Sequence, residues 1–139
     1  MILIIRISGD VDINSNIREA LFRLKLRRKY AAVVVKPNDQ LLKIVNMLRN
    51  HVAFGDIDQD TLSELIIRRG QPIDKKKKIK VEEIVSQLDK KGLSDLGLKP
   101  FFRLHPPRGG IESKKHFGVG KGVLGDNKTN INALVRRML

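Results

Sequence analysis

The chain reads as an α+β protein: a small β-α-β-α-β core over residues 1–55, then a mostly helical and loop extension over 56–139. Three observations predict it. Two β-branched runs, ILIIRI at 2–7 and AAVVV at 31–35, are each followed by apolar residues at helical spacing. Past residue 55 the helical stripes continue but the long β-branched runs stop. Glycine is concentrated late, with six of the 11 glycines at 109, 110, 118, 120, 122 and 125.

ILIIRI, closed by Ser8, Gly9 and Asp10, has the pattern of a buried strand. Asn14, Ser15 and Asn16 offer N-caps for a first helix, and Asn16 with Glu19 resembles a capping box. Ile17, Ala20, Leu21 and Leu24 form one apolar stripe, with Arg18, Arg23, Lys25 and Arg27 off it. AAVVV is a second strand, broken by Lys36, Pro37 and Asn38. Asn38 caps a second helix on Leu41, Leu42, Val45 and Leu48, and His51 to Phe54 predicts a short third strand. This order is able to place both helices on one side of a sheet.

The extension predicts helices near 61–69, 81–91 and 130–138. Thr61 with Glu64 fits a capping box for the first, and Gly70 stops it. KKKK at 75–78 precedes the second, built on Val81, Ile84, Val85 and Leu88. The third carries the stripe Ile131, Leu134, Val135 and Met138, which leaves Arg136 and Arg137 facing outward. Residues 105–128 read as a Gly/Lys-rich loop suited to binding a polyanion. Such a loop has few apolar groups to offset its ordering entropy, so phosphates are expected to hold it, and it is expected to be mobile without them.

Charge narrows the function. The 139 residues hold 28 Lys+Arg against 15 Asp+Glu, a net +13 that a polyanion would neutralise, and nucleic acid is the usual one. The last 41 residues carry +7 of that charge. No apolar run approaches the roughly 18 residues that span a bilayer, and MILIIRISGD lacks a signal-peptide pattern, so a cytoplasmic protein is expected. The absence of cysteine excludes disulfides, thiolate metal sites and thiol catalysis.

Catalytic motifs fail on context. Gly120, Gly122 and Gly125 spell GxGxxG, but the chain ends 14 residues later, without the long helix and acidic residue a dinucleotide needs. GVLGDNKT at 122–129 resembles a P-loop except that Asn127 stands where a second glycine is required. Asp56, Asp58 and Asp60 alternate like calcium ligands, yet Thr61 and Ile67 occupy the glycine and bidentate carboxylate positions, and helix capping explains them better. His51, His105 and His116 have no metal-ligand spacing, and the adjacent Glu82 and Glu83 point apart on a helix. No active site, cofactor or metal is implied.

RNA is favoured over DNA, because no helix-turn-helix, zinc finger or basic zipper is present and glycine-lysine loops suit an irregular phosphate surface. Aromatic residues are only 4% of the chain, which argues against a single-strand reader, and core packing is expected for both Phe101 and Phe102. The candidate RNA-binding residues follow the charge. Arg23, Lys25, Arg27, Arg28 and Lys29 end the first helix and enter its loop, Lys36 follows the second strand, and Arg68 and Arg69 close the third helix. In the tail they are Arg103, His105, Pro107, Arg108, Gly109 and Gly110. Lys114, Lys115, His116, Lys121, Asn127 and Lys128 complete the set.

LFRLKLRRKYAAVVVKPNDQLLKIVNMLRNHVAFGDI, LSELIIRRG, FRLHPPRGGIESKKHF and GDNKTNINALVRRM together resemble the archaeal and eukaryotic branch of the L-thirty family of large-subunit ribosomal proteins, whose eukaryotic members are called L-seven. The resemblance covers nearly the whole chain. Its most specific pieces are Pro107-Arg108-Gly109-Gly110 and the closing helix at 130–138, since compact bacterial members lack this extension. It implies a three-stranded antiparallel sheet backed by two helices. It also implies a structural protein of the large subunit that contacts ribosomal RNA, lies near 5S RNA and meets neighbouring ribosomal proteins. The chain lacks the long basic N-terminal arm of eukaryotic relatives, and its link from Lys91 to Phe101 is trimmed, so the arm's functions do not carry over. The alternative from another class is a non-ribosomal RNA chaperone or RNA-processing accessory protein.

Overall fold

The computed structural model describes the chain except residues 10, 12, 75, 77–79, 89, 91–96 and 121, with the backbone alone at 112 and 113. The strand β1 (Ile2–Arg6) is central, antiparallel to β2 (Ala31–Val35) on one side and β3 (Val52–Asp56) on the other. Ile4 stands opposite both Val33 and Phe54. This is the three-stranded antiparallel unit that the family resemblance implies.

The sheet is larger than that unit. Its order is β4-β2-β1-β3-β6-β5, with β4 (Phe102–Arg103) antiparallel to β2 and β6 (Gly122–Asp126) parallel to β3. β5 (Glu112–His116) pairs with β6, its register interrupted between Glu112 and His116. Two strands therefore lie where the sequence reads as a loop at 105–128. Their local signal is weak: GVLGD is diluted by glycine, ESKKH has no apolar alternation, and both form by extending the edge that β3 offers.

The period of two in β1 sorts the core into two layers. Ile2 and Ile4 face Leu21 of α1 (Ser15–Arg23) and Leu41 and Val45 of α2 (Asp39–Met47), with Val33 and Phe54 beside them. Leu3 and Ile5 face the opposite way. There they meet Leu62, Leu65 and Ile66 of α3 (Gln59–Arg69), Ile84 of α4 (Val81–Gln87), and Ile131, Leu134, Val135 and Met138 of α5 (Ile131–Met138). Among the described residues, three α-helices cover one face and two the other.

Caps set the helix starts. Asn14 Oδ1 accepts from the Asn16 amide at 2.9 Å, and Asn38 Oδ1 from the Leu41 amide at 2.7 Å. For α3 the cap is Asp58, whose Oδ1 accepts from the Thr61 amide at 2.7 Å; Thr61 itself is buried in the first turn rather than capping it. The helix expected near 81–91 is shorter: α4 ends at Gln87, Leu88 is its C-cap and the Lys90 amide closes a turn onto the Gln87 carbonyl, while residues 89 and 91 lie outside the described residues.

The extension is tied to the sheet through β3. Asn132 Nδ2 donates to the Asp56 and Thr129 carbonyls and its Oδ1 accepts from the Asp58 amide at 3.0 Å, holding the start of α5 against the β3–α3 turn. Gly55 makes this approach possible: a Cβ there would overlap the Lys128 carbonyl oxygen and crowd the Ile131 side chain.

Candidate nucleic-acid interface

Arg6 ends β1 and is fully buried. Its Nη1 donates to the Leu26 carbonyl and its Nε to the Ser8 carbonyl, both at 3.0 Å, while its own carbonyl accepts from the Tyr30 amide at 2.7 Å. The α1–β2 loop is thereby fastened at both ends. Leu26 turns into the core, and Lys25, Arg27, Arg28 and Lys29 are left exposed. Lys25 and Tyr30 hold left-handed φ values of 66° and 65°, costly for residues with a Cβ, and the surrounding contacts enforce them. Lys29 Nζ lies 5.1 Å from the centre of the Tyr30 ring.

β4 brings a second strip beside this loop, because Arg103 pairs with Ala31 and the Leu104 amide donates to the Tyr30 carbonyl at 3.0 Å. Between them runs a groove of about 350 Å3 lined by Lys25, Arg27, Arg28 and Ala31 on one side and Pro100, Phe101 and Arg103 on the other. Among the described residues no carboxylate lines it. The two phenylalanines divide between faces: Phe102 is fully buried, while Phe101 is half-buried in the groove wall with the Arg103 guanidinium 5.7 Å from its ring centre. Core packing, expected for both, holds in full only for Phe102. The signal for the difference is the alternation of a strand.

The glycine-rich turn has an intramolecular seat. The amides of His105 and Arg108 donate to the Met138 and Arg137 carbonyls at 2.9 and 3.0 Å, so the turn satisfies the otherwise unpaired C-terminal carbonyls of α5. In return Arg137 Nε donates to the Arg108 carbonyl at 2.8 Å and its Nη2 to the Gly110 carbonyl. Arg137 thus folds back onto the turn, where the helical spacing predicts an outward side chain; Arg136 is exposed. Gly109 and Gly110 sit at φ 81° and 73°, a pair of left-handed residues in succession that only glycine adopts at low cost.

The remaining candidates are scattered. Lys114, Lys115 and His116 lie exposed on β5, at the sheet edge opposite the groove. Arg68 is exposed and Arg69 half-buried at the end of α3; Lys36, His105, Arg108 and Lys128 are exposed and Pro107 is half-buried. Arg23 is exposed but paired with Glu19 at 2.6 Å. Lys121 lies outside the described residues. Asn127 does not present its side chain: it is buried, with Nδ2 donating to the Val123 and Gly125 carbonyls at 2.7 and 3.1 Å and its amide to Phe54. It stitches β6 to β3, a structural role that the P-loop-like spelling conceals.

Sequence reasoning missed Arg6 and Arg137. A signal existed for Arg6, the only charge inside an apolar strand run; nothing in the helical spacing distinguishes Arg137 from Arg136. Among the described residues His51 belongs to no metal-binding cluster. Its Nδ1 pairs with Ser8 Oγ at 3.0 Å, and burial, then the nearby Arg6 charge, hold its pKa below the ordinary 6.5. Among the described residues no group of three His, Asp or Glu side chains could hold a metal ion.

No family model matches the chain. Curated relatives do, over nearly its full length. The large ribosomal subunit protein uL30 of Methanococcus maripaludis is 32% identical across 98% of this chain and 97% of its own. The uL30 proteins of Pyrobaculum aerophilum (36%, covering 98% and 92%) and Nanoarchaeum equitans (33%, covering 98% and 97%) are similar to the same extent. With identity above 30% across almost the whole of each chain, and with the antiparallel β1–β3 unit and two-helix layer in place, the chain belongs to the uL30 family of large ribosomal subunit proteins.

Proposed function

We propose that this protein is a structural constituent of the large ribosomal subunit, working in the cytoplasm within the ribosome by binding ribosomal RNA, and that it has no catalytic role. The observation that carries the RNA-binding part is the groove between the α1–β2 loop and β4: among the described residues it has four cations and no carboxylate, and its backbone is fixed by Arg6 before any ligand arrives. Charge of one sign on a preformed scaffold suits a phosphate backbone, since little ordering entropy remains to be lost on binding.

Within this reading the division at residue 55 is one of role: residues 1–55 supply the framework and the loop cations, and 56–139 supply the basic extension. Arg103, Arg108, Lys114, Lys115, Lys121 and Lys128 serve as the extension's phosphate contacts, with Arg68 and Arg69 as outlying ones and Lys36 as an outlying one of the framework. Gly109 and Gly110 allow close backbone approach. A position near 5S RNA and contacts with neighbouring ribosomal proteins belong to the same proposal.

Sedimentation tests it. After a salt wash, tagged protein should run with large subunits on a gradient, and crosslinks mapped on those subunits should fall on the groove and tail cations. Recovery mainly in free fractions would overturn the assignment, and absence of any 5S crosslink would remove that neighbour.

A further inference from the structure

Phosphate recognition leaves one part of the groove unexplained. An aromatic ring adds nothing to a purely ionic surface, yet Phe101, which packs one side against the α1–α2 core layer, leaves its other part in the groove wall among Lys25, Arg27, Arg28 and Arg103. The Arg103 guanidinium lies 5.7 Å from the Phe101 ring centre, so two flat groups border one cavity. Flat groups of this kind stack on the faces of bases that are free of a helix, whereas paired bases hide both faces.

We propose that the groove takes one unpaired nucleobase of the bound RNA, stacked against Phe101, with the phosphates on either side of it met by the surrounding cations. This rests on the RNA-binding reading and adds what kind of RNA element is bound: a bulge or loop nucleotide rather than the uniform backbone of a duplex. The size is sufficient, because about 350 Å3 lies at the lower end of the range of small-molecule pockets. The charge agrees, because a nucleotide carries its anions at the edge of a neutral ring, as the groove carries its cations around a neutral one. Preorganisation agrees as well: Lys25 and Tyr30 sit in left-handed conformations that Arg6 and Leu26 hold in place, which keeps the cavity open without a ligand.

The test uses the full chain with two RNA hairpins at one salt concentration, identical except that one carries a single-nucleotide bulge. In a second series 2-aminopurine replaces the bulged base, so that stacking quenches its fluorescence. The parent should prefer the bulged hairpin by about tenfold, the scale of one base stacked on an aromatic ring, and should quench the probe. Phe101→Leu keeps an apolar group in the wall and loses the π-face; it should bring the ratio of the two affinities close to one and abolish the quench. Thermal melting checks that the variant folds, and if it does not, the parent's quench decides alone. Equal, salt-sensitive binding of both hairpins by the parent overturns the base pocket and leaves RNA binding standing. Binding to neither hairpin overturns both. A bulge preference and quench that survive Phe101→Leu overturn the role of the ring.

Discussion

Arg108 and Arg137 stand on opposite sides of one turn, and their substitution separates holding the turn from using it. Leu134 is the reference for lost packing: it is 4% exposed in the core between the sheet and α5. Leu134→Ala should cost about 2 to 4 kcal/mol. For 139 residues the unfolding entropy is about 0.3 kcal/mol per kelvin, so its melting temperature should fall by about 7 to 13 °C. Arg108 meets α5 only through its backbone amide and carbonyl, and alanine keeps both. Arg108→Ala should therefore melt within about 2 °C of the parent, inside the usual range for surface changes. It should bind RNA about 5- to 30-fold more weakly, as expected for about 1 to 2 kcal/mol of lost phosphate contact. Arg137→Ala removes two solvent-exposed bonds to carbonyls and should cost about 1 to 2 kcal/mol, between the other two. All three proteins are compared by thermal melting and by RNA titration at one salt concentration. If Arg108→Ala melts as early as Leu134→Ala, or binds RNA as well as the parent, Arg108 is a structural residue and the assignment of the turn fails.

RNA affinity of the isolated protein should fall steeply with salt; four groove cations each neutralising a phosphate alone give a log-log slope of about −3 to −4, further tail contacts steepen it, and a nearly flat plot contradicts the ionic interface. Gly55→Ala should destabilise the fold by displacing the Lys128 backbone from β3, with the melting temperature dropping by several degrees; an unchanged melt means α5 does not depend on that approach. His51 has a lowered pKa in the folded state, so the unfolded chain binds more protons between that value and 6.5. Its contribution is therefore complete above about pH 6.5 and is lost as pH falls through the folded value. His51→Asn should flatten the stability curve in that window, and an identical curve excludes His51 as its source.

The first half of the chain was legible because its elements are specified locally. Asn38 sits where its side chain reaches the Leu41 amide, and the alternating residues of ILIIRI each find a helix layer on their own side. The second half depends on partners far along the chain. β6 exists because β3 leaves an edge open, with Ala53 opposite Gly125, and β5 follows from β6. Neither GVLGD nor ESKKH has a periodicity that announces a strand, and composition alone suggests disorder. The candidate site divides in the same way: the basic loop is readable as LKLRRKY, whereas the groove needs β4 to be laid beside it by the pairing of Ala31 with Arg103.

That dependence gives the extension a reason to be basic and still ordered. A segment with two carboxylates and nine cations over residues 99–139 repels itself, and self-repulsion favours an extended chain. Apolar burial opposes it at three places: Phe102 and Leu104 against the sheet, Val123 and Leu124 in β6, and the α5 stripe. Between these anchors Arg103, Arg108, Lys114, Lys115 and Lys128 stay exposed on strands and turns. Arg137 is the exception. Its guanidinium is spent on the carbonyls of the Pro107–Gly110 turn, which fixes the turn's backbone while Arg108 keeps its own charge exposed. Arg6 does the same for the α1–β2 loop from the other end of the sequence: one cation is given up to backbone carbonyls so that Lys25, Arg27 and Arg28 stand at a fixed place. In both regions the arginine that fixes the backbone is therefore distinct from those left exposed for the proposed RNA contact.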